Sequence, residues 1–193
     1  MNAVAAVSPV RVLRRRSIAA STAPAIRAAF ATDADAIHAL IAGHQDEGRL
    51  LPRNAGEIFV HAHRFVVAVD GDRVVACADL APLSRTVAEI RSLVVSSDAR
   101  SAGLGQRLVD ELVRRAAMAG FEKLCAFTHA PSYFSRMGFS IVPHSWLLEK
   151  IFTDCVKCPL FRTCGQYGMV VPLDSVFDAD RSSDSVTAAA PVA

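Results

Sequence analysis

Arg100, Gly103 and Gly105 are spaced Arg-x-x-Gly-x-Gly, between an apolar run at residues 90–95 and a run of helical periodicity that begins at Gly103. A strand-to-helix turn of this composition leaves backbone N–H groups pointing outward at a helix N-terminus. With the positive end of the helix dipole behind them, such groups hold a phosphate or pyrophosphate. The glycines let the backbone approach the anion with no Cβ in the way. The same spacing also suits an ordinary turn, and it matches neither Gly-x-x-x-x-Gly-Lys-Ser/Thr nor Gly-x-Gly-x-x-Gly. Upstream, Glu89 and Arg91 alternate onto one face of the same strand, where they read as a solvated ion pair unless a ligand claims them. Cys155-x-x-Cys158-x₅-Cys164 is a further grouping. Close thiols can hold zinc or an iron–sulfur cluster, yet a closed zinc site wants four ligands and His144 is a poor fourth. Packed or redox-sensitive thiols are the default there, and Cys77 and Cys125 lie in apolar strands and read as core. His61-x-His63 reads as helix surface, and His129 is a loop residue without an assigned role.

The elements that must position these residues follow from periodicity. Residues 25–30 read as a first strand, and Thr32 as the cap of a helix over 33–42 with Ile37, Leu40 and Ile41 on one side. Asn54-x-x-Glu57 opens a second short helix. Strands at 65–69 and 74–80 join across Asp70-Gly71-Asp72, a strong hairpin signal, and 87–95 continues the meander. Leu104, Leu108, Leu112 and Val113 share one helical face, and Gly120 ends that helix. A strand at 124–128, a short helix around 132–137 and a strand from Phe139 complete the order. The expected class is α/β, a mixed sheet of about six or seven strands with helices on both faces.

In this order the motifs resemble a known family. Arg100-x-x-Gly103-x-Gly105 after Glu89-Ile90-Arg91-Ser92-Leu93-Val94-Val95 resembles the acyl-coenzyme A signature of the GNAT superfamily of acetyltransferases. The run from Phe127 to Phe139, ending in Gly138-Phe139, is similar to its second motif. More narrowly, Glu47-Gly48-Arg49-Leu50-Leu51-Pro52-Arg53 resembles a segment of amino-acid N-acetyltransferases of the N-acetylglutamate synthase type. Lys150-Ile151-Phe152-x-Asp154-Cys155-x-x-Cys158-Pro159-x-Phe161-x-x-Cys164 resembles the C-terminal segment of the short, single-domain form of that enzyme, so that the likeness spans about residues 26–171.

The resemblance implies acetyl-CoA as co-substrate and direct attack by the α-amine of L-glutamate in a ternary complex. It assigns the pyrophosphate to the amides of Arg100, Ser101, Ala102, Gly103, Leu104, Gly105 and Gln106. Leu93, Val94 and Val95 would pair with the pantetheine as an added strand, and the Val94 N–H would donate to the acetyl oxygen as charge develops. Glu89 is the implied base. Arg53 and Arg91, with Arg49 a weaker third, would fork onto the substrate carboxylates, and Ser92 and Thr128 would add hydroxyl contacts. Where many relatives carry a tyrosine acid, four positions before Gly138, this chain has Phe134, with Tyr133 just before it. A helix turns about 100° per residue, so Phe134 is expected to wall the pantetheine and Tyr133 to act as acid only on an irregular helix. The acidic residues that follow the last cysteine in the short form are here Gly165 and Gln166. No metal is expected for catalysis.

At 193 residues and 52% hydrophobic, the chain suits one α/β domain, too short for the kinase-like domain of the long form and its arginine feedback. The expected division is a flexible basic leader at 1–24, an acetyltransferase domain at 25–173 with the cysteine segment at 150–171, and a disordered tail at 174–193. A formal charge of +2 points to no nucleic acid, and no apolar run approaches the ~20 residues that span a bilayer. Five cysteines without a secretory signal favour a reducing compartment, cytoplasmic in a bacterium. The arginines of the leader keep an organellar transit peptide as the alternative. A homodimer stays open. Two other functions also stay open: acetylation of another acceptor (glutamine or another amino acid, a polyamine, a protein terminus) and a non-catalytic acyl-CoA sensor with a cysteine redox or metal module.

Overall fold

The computed structural model describes residues 23–45, 50–100 and 103–173. Apolar-rich runs build strands β1 (Ala25–Ala28), β2 (Phe65–Asp70), β3 (Arg73–Pro82) and β4 (Val87–Val95). They are followed by β5 (Lys123–Thr128), β6 (Ser140–Val142) and β7 (Tyr167–Pro172). The helices are α1 (Ala34–Ala42), α2 (Ala55–Val60), α3 (Leu104–Met118), α4 (Pro131–Ser135) and α5 (Leu148–Thr153). The strands form one seven-stranded sheet in the order β1-β2-β3-β4-β5-β7-β6. Neighbours are antiparallel except β4 and β5, which are parallel and joined through α3. The expected mixed α/β sheet is therefore present, with seven strands.

Some element ends differ from the sequence reading. Thr32 lies inside a 3-10 turn, Ala31–Asp33, and caps nothing. Asp33 takes that work, its Oδ2 accepting the Phe30 N–H at 2.7 Å while Arg27 donates to both of its oxygens. A carboxylate serves better than a hydroxyl there because it accepts from backbone and guanidinium together. Asn54 does cap α2, accepting the Glu57 N–H at 3.2 Å, but the Glu57 carboxylate turns to Arg53 instead of returning to the cap.

One face of the sheet is closed by α3, whose Leu104, Leu108 and Leu112 pack on Val66, Ala76, Ala88 and Ala126. Burying each such leucine contributes about 1.5–3 kcal/mol. At one end of the other face, Ile37 and Ile41 of α1 and Ile58 of α2 cover Phe65, Val67, Cys77 and Val94. At its far end Leu147 covers Val87 and Cys125. Between these two apolar pads, register puts Asp79 across from Arg91 and Ala81 across from Glu89. The second face therefore has a polar centre.

Candidate functional site

β4 breaks its pairing on both sides at this centre. Its parallel ladder with β5 runs from Val87–Lys123 to Ile90–Ala126 and stops there, although β4 continues to Val95. Among the described residues no strand pairs with that edge of β4 beyond Ile90. On the β3 side, Cys77 pairs with Val94 but Asp79 with Arg91, so β4 carries one extra residue. Ser92 sits in that bulge at φ +50°, a left-handed conformation that a non-glycine residue seldom adopts. The bulge turns the Ser92 and Leu93 backbone out of the ladder. This explains why the apolar run is only partly buried: Val94 is buried, whereas Leu93 and Val95 are half-buried.

After β4 the chain makes a 3-10 turn, Ser97–Ala99, and enters α3 through Gly103 at φ +69°. Asp98 accepts from Arg73 at 2.6 Å and from the Ser96 hydroxyl at 2.7 Å, which ties the turn to β3. Arg100 donates to the Val95 carbonyl. A Cβ on Gly105 would stand 2.4 Å from the Tyr133 hydroxyl oxygen, so this glycine is required by a close approach rather than by its dihedrals. Phe134 and Tyr133 divide between the core and the loop here. Phe134 is buried in the main core against Phe139, while the Tyr133 ring reaches the start of α3. The reason is that α4 is short and lies with its inner side on the sheet, which leaves the residue before Phe134 facing the loop. Burial pushes the Tyr133 phenol above its usual pKa, so it stays protonated at neutral pH.

On the second face Glu89 is almost fully buried and doubly paired. Arg91 Nε donates to it at 2.5 Å, and Lys150 Nζ stands 2.8 Å from both of its oxygens. Lys150 also reaches Asp154 at 3.0 Å, and Arg91 Nη2 donates to the same Asp154 oxygen. The four side chains close a ring of alternating charge, two from β4 and two from one turn of α5 and its end. Lys150 further lies 5.4 Å from the Phe127 ring centre. Burial opposes the Arg91 charge, but Glu89 and then Asp154 outweigh it and hold its pKa above the ordinary value.

Arg53 approaches the same floor from the segment before α2. Its two terminal nitrogens are each 3.3 Å from Asp79 Oδ2; Nη2 also donates to Glu57 at 2.9 Å, and Nη1 to Ser92 Oγ at 3.4 Å. Asp79 is 2% exposed, and its other oxygen, Oδ1, is buried without a hydrogen-bond partner. Burial pushes the Asp79 carboxyl above the usual carboxylate range, with Arg53 and Arg91 pulling the other way.

The structure thus brings Glu89, Arg91, Arg53 and Ser92 together at the point where β4 leaves β5. Thr128 ends β5, its hydroxyl accepting the Ala130 N–H at 3.0 Å to shape the turn into α4. Ser101, Ala102 and Arg49 lie outside the described residues, as do residues 1–22 of the leader and the tail. Cys155, Cys158 and Cys164 are free thiols, and no group of three metal-ligating side chains forms among the described residues. Sequence reasoning gave no role to Lys150, Asp154 and Asp79. For the first two a signal existed, since i and i+4 share a helix face, but nothing in the sequence says what that face meets.

The family model described as Acetyltransferase (GNAT) family matches residues 29–139. An uncharacterized N-acetyltransferase of Chlorobaculum tepidum is 32% identical over 148 residues, 77% of this chain and 96% of that protein. Amino-acid acetyltransferases of Pectobacterium carotovorum and Neisseria meningitidis are 28% and 30% identical, over 63% and 69% of this chain. The chain spans only 28% and 31% of the length of those two. Among solved structures, Rv2747 of Mycobacterium tuberculosis in complex with CoA and NLQ aligns with a TM-score of 0.65 at 24% identity, covering 77% of this chain and 99% of that one. N-acetylglutamate synthase of Neisseria gonorrhoeae, complexed with coenzyme A and N-acetyl-glutamate, aligns at 0.67 and 24%, over 77% of this chain and 35% of its own. These structures share the fold. The match over more than half the sequence and the likeness to nearly the whole Chlorobaculum protein make this chain a member of the Acetyltransferase (GNAT) family.

Proposed function

We propose that this acetyltransferase moves the acetyl group of acetyl-CoA to the α-amine of a free amino acid. The observation that carries the reading is the ladder between β4 and β5, which ends at Ile90–Ala126 beside the Glu89–Arg91 pair. The open edge of β4 is a template for the amides of the pantetheine arm, which would bind as an added strand along Leu93, Val94 and Val95. The amides from Arg100 to Gln106 at the start of α3 would receive the pyrophosphate. In the reaction the amine nitrogen attacks the thioester carbonyl carbon, the new C–N bond forms, and the C–S bond breaks to release the thiolate. A Val94 N–H aimed at the developing oxyanion would lower the barrier by about 3–4 kcal/mol. Glu89 would take the ammonium proton, and Tyr133 would return one to the departing sulfur.

Within this class the names of the matched amino-acid acetyltransferases and of the N-acetylglutamate synthase favour L-glutamate, the acceptor of the first step of arginine biosynthesis. A second reading, an acceptor with an uncharged side chain such as glutamine, is favoured by the carboxylates that already hold Arg53 and Arg91. The test is release of free thiol from acetyl-CoA over a panel of amino acids, a polyamine and a peptide amine. Release with an α-amino acid is expected. Release with none of the panel, while acetyl-CoA still binds, would refute the reading and favour a non-catalytic acyl-CoA sensor.

A further inference from the structure

Asp79 is the most deeply buried of the carboxylates on this floor for which the transfer reaction supplies no task. It is 2% exposed at the centre of the second face, opposite Arg91 in the β3–β4 register and next to the Ser92 bulge. One of its oxygens is spent on Arg53, and the other is buried with no partner at all. A buried carboxylate oxygen without a donor is rare in a native fold, because it loses its water and gains nothing in return.

The cations around it are equally informative. Arg53 answers two carboxylates, Asp79 and Glu57. Arg91 and Lys150 share Glu89 and Asp154 between them. Each cationic head that touches this floor among the described residues is therefore already held by a carboxylate of the chain, with Arg64 acting on Asp79 only through its charge. A guanidinium so engaged has few N–H groups left to fork onto an incoming carboxylate.

Resting on the amino-acid acetyltransferase reading above, we propose that Asp79 sets the acceptor class: the side chain that enters beside it ends in an N–H donor, an amide or an ammonium, and not in a carboxylate. An N–H group arriving there supplies the bond that Oδ1 lacks. A carboxylate arriving there meets a like charge, leaves Oδ1 orphaned, and must pull Arg53 away from two existing partners. A site built to receive an N–H discriminates far more strongly than one shaped by packing alone, because the wrong ligand leaves its buried polar atom unpaired.

Glutamate and glutamine are the natural probes, since they differ in shape by almost nothing and in chemistry by this one group. Wild-type protein is expected to acetylate glutamine with a kcat/KM about 100-fold or more above that for glutamate. Asp79→Asn and Asp79→Ser should move that ratio toward glutamate by at least about tenfold, with acetyl-CoA affinity by calorimetry unchanged as the check on folding. A wild-type preference for glutamate overturns the proposal without any variant being needed. So does a ratio that stays put in both variants, which would mean that Asp79 carries its own proton or only braces Arg53. If no α-amino acid is acetylated although acetyl-CoA binds, the reading beneath the proposal falls with it. Turnover of amino acids with an unmoved ratio sinks the proposal alone.

Discussion

Replacing Lys150 by methionine tests whether the charge ring on β4 is a buried network or a surface ornament. Methionine keeps an unbranched stem of similar length beside Phe127 and removes only the ammonium. Glu89 is then left with a single cation, Arg91, at a side chain only 4% exposed. Breaking a buried ion pair costs about 3–5 kcal/mol, and the surviving Arg91 contact places this loss near the lower end, about 3 kcal/mol. For a domain of this size each kcal/mol shifts the midpoint by roughly 2–4 °C, so thermal unfolding followed by circular dichroism should show a fall of roughly 6–12 °C. Glu89→Gln in the same chain should return much of that, because removing both members of a buried pair is close to neutral. A double-mutant cycle then yields a coupling above about 1 kcal/mol. The reasoning fails if Lys150→Met lowers the midpoint by less than about 2 °C, the size expected of an exposed pair, or if the two losses simply add.

Other outcomes follow from single positions. Gly105→Ala sets a methyl group 2.4 Å from the Tyr133 oxygen but in ordinary contact, at 3.5 Å, with the ring carbon that bears it. The substitution should therefore destabilise the protein and weaken acetyl-CoA binding, and Tyr133→Phe in the same chain should restore the unfolding midpoint; no restoration would show that the clash lies elsewhere. Burial, then Asp79, pushes the Cys77 thiol up to about 12, and burial also raises Cys125, so native protein treated with iodoacetamide at neutral pH should be alkylated on Cys155, Cys158 and Cys164 first. Mass spectrometry that finds Cys77 or Cys125 modified before unfolding would contradict the packing. Arg114 chiefly, against burial and with Arg115 helping, holds Glu111 at about 2, below its ordinary 4.5. A depressed carboxylate stabilises fully above its unfolded value and loses that contribution as pH falls toward its folded one. Urea midpoints should hence fall between about pH 5 and pH 2, and the fall should be shallower in Glu111→Gln; parallel curves would exclude the role.

Much of the scaffold was legible because it rests on local physics. Apolar runs marked β2, β3 and β4, Asp70-Gly71 marked the hairpin between the first two, and the spacing of Leu104, Leu108 and Leu112 marked the inner face of α3. Period, turn chemistry and apolar content act over a few residues, so the chain states them directly. The loop glycines and the Glu89–Arg91 pair were visible for the same reason.

Tertiary structure alone decided what those residues face. Glu89 and Lys150 are 61 positions apart, Arg91 and Asp154 63, and Arg53 and Asp79 26, and no local periodicity relates them. The bulge at Ser92 depends on how β3 and β4 fall into register, and that bulge sets Asp79 opposite Arg91. The depth of a charge is likewise a property of the packed molecule: the same aspartate is ordinary in the chain and costly beneath Arg53 on the second face of the sheet. Sequence therefore named the groups that could bind anions, and packing determined that the fold's own carboxylates bind them first.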